Sequence, residues 1–276
     1  MEHLLSVWPE VAQRLRDAGH ILLLIDYDGT LTPIVDRPEL ANLPEDTRQL
    51  LQALARQPRF TLGVISGRAL ADLKNKVSVG GIIYAGNHGL EIEGSGVGFT
   101  NPLAEEIRPV IRTMCQLLGQ ALRTIKEAIV EDKGLTLSVH YRLVEEDKIE
   151  EVKSIFERIV SGAKASGEIR ITSGKKVYEI RPAASWDKGK AIKLLMKRYG
   201  KGGRKSRLLP IYLGDDLTDE DAFKVIEKYG NGISVFVGDD KQDTVARYFL
   251  KSPAVVAKFL GLLLEHNQRI SHACFS

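Results

Sequence analysis

The chain has 276 residues, 43% of them hydrophobic, which is enough for one large domain or a domain carrying a sizeable insertion. A net charge of +3, without a long basic run or the aromatic pattern of an RNA-binding module, argues against nucleic acid as a partner. No apolar stretch reaches the roughly 18 residues that span a bilayer, charges among the first twenty residues (Glu2, Glu10, Arg14, Arg16, Asp17) speak against a secretory leader, and Cys115 and Cys274 lack metal-ligand spacing, so a cytoplasmic location is expected.

Ile21 to Ile25 form a continuous apolar run, the pattern of a strand buried on both faces of a parallel sheet, and they lead into Asp26-Tyr27-Asp28-Gly29-Thr30. Two carboxylates thus arrive at the carboxyl end of a central strand, where open α/β sheets place their ligand crevices. A calcium loop of the EF-hand type fits poorly, because Thr30 and Leu31 stand where that loop needs a further ligand and a glycine. Pro44-Glu45-Asp46 starts a helix with Leu50, Leu51 and Leu54 at helical spacing. Phe60–Ile65 reads as the next strand, ending at Ser66-Gly67-Arg68, and Ile82–Ala85 as a third, ending at Gly86-Asn87-His88-Gly89.

The rhythm then changes. A helical pattern from Leu103 to Ile129 is followed by strands at Ile129–Glu131 and Leu135–Tyr141, a charged helix Glu145–Val160, and strands at Ile169–Thr172 and Val177–Arg181. Hairpins of this kind do not belong in a parallel sheet, so residues 104–182 are expected to form an inserted α+β domain, with Pro102 and Pro182 marking its hinges. The core is then 1–103 with 183–276. It resumes at Asp187-Lys188-Gly189-Lys190, which opens a helix to Tyr199, and passes a basic stretch to Arg207 that reads as a solvated loop. The strands Leu208–Leu213 and Gly232–Val237 follow, ending at Gly214-Asp215-Asp216 and Gly238-Asp239-Asp240. The fold class is α/β, a Rossmann-like parallel-sheet core with an inserted α+β domain.

Four clusters fall at strand or helix edges. Asp26 with Asp28 can hold a hard cation, attack an electrophile and move a proton. Ser66 and the helix start behind it can cradle an anion. Lys188 can neutralise charge at a reacting centre, and Asp215 with Asp219 can complete an oxygen shell for Mg²⁺, while Asp216 or Thr218 caps the next helix.

The order Asp-x-Asp-x-Thr, Ser, Lys, Gly-Asp-Asp-x-x-x-Asp resembles the haloacid dehalogenase superfamily over essentially the whole chain. That resemblance implies that Asp26 is a nucleophile taking a phosphoryl group as an aspartyl-phosphate, and that Asp28 is first acid, then base. It implies that Ser66 and Lys188 hold and neutralise the phosphate, and that Mg²⁺ is served by Asp26, the carbonyl of Asp28, Asp215 and Asp219, directly or through water. The presence of Asp28 argues against a dehalogenase, and the lack of a lysine after Asp26 against an ion-pump segment. The insertion resembles a C2-type cap. Ile25 to Ile34, Gly86 to Glu91, Glu131 to Gly134 with His140 to Arg142, and Gly174 to Pro182 are similar to the phrases of trehalose-6-phosphate phosphatases.

The substrate-binding set implied by that similarity is Thr30, Arg68, Asn87, His88, Glu131, Lys133, Arg142, Lys176 and Glu179. Lys176 is preferred to Lys175 on the motif's spacing before Glu179. Carboxylates such as Glu131 and Glu179 suit the vicinal hydroxyls of a disaccharide, and the cations suit hydroxyl or phosphate oxygens. A sucrose-6-phosphate or mannosyl-3-phosphoglycerate phosphatase, a phosphate-transferring mutase and an inactive regulatory module remain the alternatives. With no fused glycosyltransferase in the chain, any trehalose-6-phosphate synthase partner is expected to be a separate polypeptide.

Overall fold

The run Ile21–Ile25 lies in the middle of a nine-stranded sheet. The computed structural model describes residues 1–35, 37–174, 176–200 and 208–273; Lys175, Cys274 and the basic segment 201–207 lie outside the described residues. In chain order the strands are β1 (Glu2–His3), β2 (His20–Asp26), β3 (Phe60–Ile65), β4 (Ile83–Gly86), β5 (Glu91–Gly94) and β6 (Val97–Thr100). Then come β7 (Ile129–Asp132), β8 (Leu137–His140), β9 (Ile169–Gly174), β10 (Val177–Pro182), β11 (Leu208–Gly214), β12 (Ile233–Val237) and β13 (Tyr248–Leu250). The helices are α1 (Trp8–Asp17), α2 (Glu45–Ala55), α3 (Leu70–Val77), α4 (Pro102–Leu122), α5 (Ile149–Ala165), α6 (Lys188–Tyr199), α7 (Glu220–Tyr229) and α8 (Pro253–Ala273). Among the described residues no helix is long and apolar enough to cross a membrane.

The large sheet runs β1-β13-β12-β11-β2-β3-β4-β5-β6. Pairing is parallel from β1 to β4 along this order and turns antiparallel at β4–β5. The central strands have no water-facing side: Leu22, Leu23, Leu24 and Ile25 of β2 and Leu209, Ile211, Tyr212 and Leu213 of β11 are all fully buried. That explains why these strands read as unbroken apolar runs rather than as alternation. Register fixes the site. Ile25 pairs with Val64 on one side and Leu213 on the other, so Asp26, Ser66 and Gly214 leave the sheet at one edge.

The chain divides into two units. One comprises Met1–Gly67, Ala71–Gly98 and Asp187–Ser276; the other comprises Arg68–Leu70 and Phe99–Trp186. The second has its own antiparallel sheet, ordered β7-β8-β10-β9. Leu137, Val139 and Ile180 of this sheet pack with Ile111, Leu118, Phe156 and Val160 of α4 and α5 in a common buried cluster. Because alternate strand residues face opposite ways, the other face carries Glu131, Ser138, Glu179 and Thr172, which stand in one cross-strand row.

Some expectations need correction. The helix expected to run to Ile129 ends at Leu122, with Glu127 in a positive-φ turn. Ile125 is still buried in the cluster of the second unit, so the apolar rhythm outlasts the helix that began it. Strands β1, β5, β6 and β13 and helices α1 and α8 add to the elements expected.

Candidate active site

Asp26 is the last residue of β2 and is only 5% exposed. The chain then winds tightly: Leu31 and Thr32 both donate backbone N–H groups to the Tyr27 carbonyl, and Gly29 donates to that of Thr32. Tyr27 points into the core and donates its hydroxyl to the Ala41 carbonyl at 3.0 Å. Gly29 has φ +85°, and a Cβ there would sit 2.0 Å from Asp215 Oδ2. Glycine is therefore required twice, for the backbone conformation and for the approach of the β11 turn. Thr30, fully buried, donates its hydroxyl to Asp215 Oδ1 at 3.3 Å. Asp28 is half-buried in the same turn.

Lys188 opens α6, behind the N-cap of Asp187, whose carboxylate accepts from the Lys190 N–H at 2.8 Å. Its ammonium, 3% exposed, lies between Asp26 Oδ1 at 2.7 Å and Asp219 Oδ1 at 2.6 Å. Asp219 also accepts from the Tyr212 hydroxyl and from the backbone N–H groups of Asp215 and Asp216. Asp216 caps the turn before α7, accepting from Thr218, while Asp219 completes the capping box by accepting from the Asp216 amide. Gly214 makes this possible, since a Cβ would lie 2.3 Å from the Asp219 carboxylate carbon.

Ser66 and Arg68 are both buried at the end of β3. Asn87 and His88 follow β4 in left-handed conformation, with φ +50° and +56°. The His88 N–H donates to the Ser66 carbonyl at 2.8 Å, and its ring covers Gly67 so closely that a Cβ there would lie 2.6 Å from Nε2. Asn87 donates its side-chain amide to Glu91 Oε1 at 2.8 Å. Two successive non-glycine residues at positive φ are costly, and such strain concentrates at functional positions.

Charge at this edge is unbalanced. Burial first, then the charges of Asp219, Asp215 and Asp216, hold the Asp26 carboxyl well above its usual range against the pull of Lys188. Burial and the neighbouring carboxylates of Asp219 and Asp216 push Asp215 up to about 7. Burial works against the Lys188 ammonium, but Asp219 and Asp26 overcome it and hold it above the usual lysine range. Asp26, Asp215 and Asp219 bring carboxylate oxygens within 4.8 Å of one another. An all-oxygen donor set with one ammonium against several carboxylates suits a hard divalent cation such as Mg²⁺.

The polar face of the second unit carries a cluster of its own residues. Lys133 lies 3.8 Å from Glu131 and 3.7 Å from Glu179, His140 Nε2 lies 2.9 Å from Glu131, and Arg181 donates to Glu179. Burial alone would raise Glu131, but the hydrogen bond of His140 and the charge of Lys133 outweigh it and lower its pKa. Lys176 stands instead in the β9–β10 turn at φ +58°, exposed, with its ammonium 3.3 Å from Glu146. Arg142 is exposed after β8. Tyr212 and Arg181 join these clusters without being expected from the sequence. Arg181 had a signal, sharing strand parity with Glu179, whereas Tyr212 was indistinguishable from its apolar neighbours.

A family model described as trehalose-phosphatase matches residues 24–254. Trehalose 6-phosphate phosphatase of Zea mays is 38% identical over 256 residues, 88% of this chain and 69% of that one. Trehalose-phosphate phosphatase B of Arabidopsis thaliana is 35% identical over 274 residues, covering 96% and 71%. Among solved structures, the C-terminal domain of trehalose-6-phosphate phosphatase from C. albicans superposes with a TM-score of 0.75 at 25% identity, covering 93% of this chain and 96% of that one. A haloacid dehalogenase-like hydrolase of Bacteroides thetaiotaomicron shares the fold at a TM-score of 0.57 and 18% identity, covering 88% and 99%. With the model match running from β2 to beyond β13, and plant relatives matched along most of their own length, this chain belongs to the trehalose-phosphatase family.

Proposed function

We propose that the protein hydrolyses trehalose 6-phosphate to trehalose and inorganic phosphate through an aspartyl-phosphate on Asp26. The observation that carries the reading is the buried Asp26–Lys188 contact at the open end of β2, with Asp215 held beside it by Thr30. Lys188 engages Oδ1 of Asp26, which fixes the rotamer of the carboxylate for attack on phosphorus. Asp28, two residues on and half-buried, gives its proton to the sugar oxygen as that bond breaks. It then takes a proton from the water that hydrolyses the aspartyl-phosphate. Ser66 and the amides behind it hold the phosphate oxygens, and Lys188 neutralises their charge. Asp26, Asp215, Asp219 and the Asp28 carbonyl would hold Mg²⁺, directly or through water, and when bound it would supply positive charge that offsets the repulsion between carboxylate and phosphate dianion.

The inserted unit serves as the specificity cap, with Glu131, Lys133 and Glu179 as hydrogen-bonding groups for sugar hydroxyls. Asn87, His88 and Thr30 of the core, Arg68, which groups with the second unit, and Arg142 and Lys176 of the cap complete the substrate set. The test is phosphate release, with Mg²⁺ and with EDTA, from trehalose 6-phosphate beside sucrose 6-phosphate, mannosyl-3-phosphoglycerate and glucose 6-phosphate. Metal-dependent preference for trehalose 6-phosphate, abolished by Asp26→Asn, is the expected result. Preference for another ester discards the substrate, and undiminished turnover by Asp26→Asn discards the nucleophile.

A further inference from the structure

A groove of about 400 Å³ runs between α6 and α7, on the unit that carries the large sheet. Gly189 narrows one end: a Cβ there would stand 2.4 Å from the Asp221 carbonyl, so the two helices nearly touch where they begin. Lys190 and Lys193 share one face of α6, and Lys224 and Lys228 share one face of α7. All four line the groove. Like charges at these spacings repel along each helix, and the two rims repel across the hollow. The acids nearby do not offset them. Asp187 is taken up by the cap of α6, and Asp221 faces Lys224 at 3.5 Å. Lys193 and Lys228, both exposed, have no ion pair among the described residues.

Between the rims the lining is apolar. Met196 and Val225 are half-buried, and Tyr229 is 40% exposed. A bare polyanion, such as inorganic polyphosphate or a nucleic-acid backbone, would satisfy the lysines and leave this floor in water. An apolar side chain flanked by carboxylates satisfies both. Methionine and tyrosine at the centre with charge around the edge is also the composition of a protein-binding patch. We propose that the α6–α7 groove is a docking site for a short acidic segment of another protein, in which one apolar residue carries Asp or Glu on either side. From Asp221 to Tyr229 the helix rises about 12 Å, at roughly 1.5 Å per residue. That is the length of about four extended residues, so the contact is small, weak and fast to exchange.

The test is fluorescence anisotropy of the full chain with labelled heptapeptides. One is Glu-Asp-Glu-Leu-Glu-Asp-Glu, one has Ala in place of Leu, and one has Gln and Asn in place of the acids. At low salt the Leu peptide should bind saturably, about tenfold tighter than the neutral peptide and about threefold tighter than the Ala peptide. Raising the salt from about 0.05 to 0.5 M should weaken it about tenfold. Lys193→Glu with Lys228→Glu should weaken it by a further factor of about ten, with thermal unfolding unchanged. Should that charge reversal not fold, Lys193→Ala with Lys228→Ala takes its place, with a loss of about threefold expected. No saturable binding, equal binding of the Leu and Ala peptides, or undiminished binding by the variants overturns the proposal. Tripolyphosphate that binds as tightly as the Leu peptide, and is lost in the same variants, makes the groove a simple anion site and overturns it too. A salt-sensitive dimer of the protein alone in sedimentation, lost in the variants, assigns the groove to a second copy and overturns the choice of a different partner. None of these readouts depends on the phosphatase reading.

Discussion

Replacing Lys188 by methionine keeps the length of the side chain and removes its charge. Two carboxylate oxygens, at 2.7 and 2.6 Å from the ammonium, lose their cation while remaining buried. Breaking a buried ion pair from one side costs about 3–5 kcal/mol, because an uncompensated charge stays behind. At roughly 2–4 °C per kcal/mol for a chain of this order, Tm should fall by about 6–20 °C. The sign of the pH dependence follows from the acids. Asp26 and Asp219 are already raised in the fold by burial, and without Lys188 they rise further. An acid raised above its unfolded value binds more protons folded than unfolded, so its cost grows as pH rises through that window. The deficit of Lys188→Met should therefore be larger at pH 8 than at pH 5, read by thermal unfolding in EDTA. Adding Asp26→Asn should return part of the loss, with a coupling of about 0.5–3 kcal/mol. A Lys188→Met protein within about 1 kcal/mol of wild type at pH 8 would refute the claim that this ammonium balances the buried acids.

Asp215, pushed up to about 7, must lose its proton before it can bind a cation. Calorimetric Mg²⁺ affinity should thus weaken by about tenfold from pH 8 to pH 6, with proton release on binding; an affinity flat across that range contradicts the assignment. Gly29→Ala adds a Cβ 2.0 Å from Asp215 Oδ2 and forces alanine to φ +85°, so it should cost at least about 1–2 kcal/mol in denaturant titration. Wild-type stability would show that the two loops are not held this close. Glu179→Ala should reduce disaccharide turnover far more than turnover of a small aryl phosphate, and equal losses on both would remove Glu179 from the specificity set.

Where a strand is buried on both faces, its residues declare it, and β2, β3, β11 and β12 were legible for that reason. The hairpins of the second unit were legible through the turn signals Asp132-Lys133-Gly134 and Ser173-Gly174, although Ser173 and Gly174 themselves close β9. Strands β1 and β13, two and three residues long, carry no pattern long enough to read. The end of α4 was hidden because Ile125 keeps contributing to the same apolar cluster after the helix has stopped. In the site, residues within one motif could be grouped by spacing. Relations between motifs could not: that Gly29 exists to admit Asp215, or that Tyr212 reaches Asp219, depends on which loops the register of the sheet brings together. Glu131 and Glu179 share a cross-strand row, whereas Lys176, one residue before β10, falls in a turn where strand parity no longer governs its direction.

The pairing of β2 with β11 joins His20 to Leu208, 188 positions later in the chain. A ribosome adding about 5–20 residues per second needs roughly 10–40 s to cover that distance. During this interval the most apolar strand of the protein has one edge without its eventual neighbour, the kind of exposed template on which nascent chains associate wrongly. Asp26 is made early, but Lys188, which lies against it in the fold, and Asp215 are made only in the last third of synthesis. An N-terminal fragment therefore cannot assemble the Asp26–Lys188 pair, and the demand on chaperones should centre on this one delayed strand.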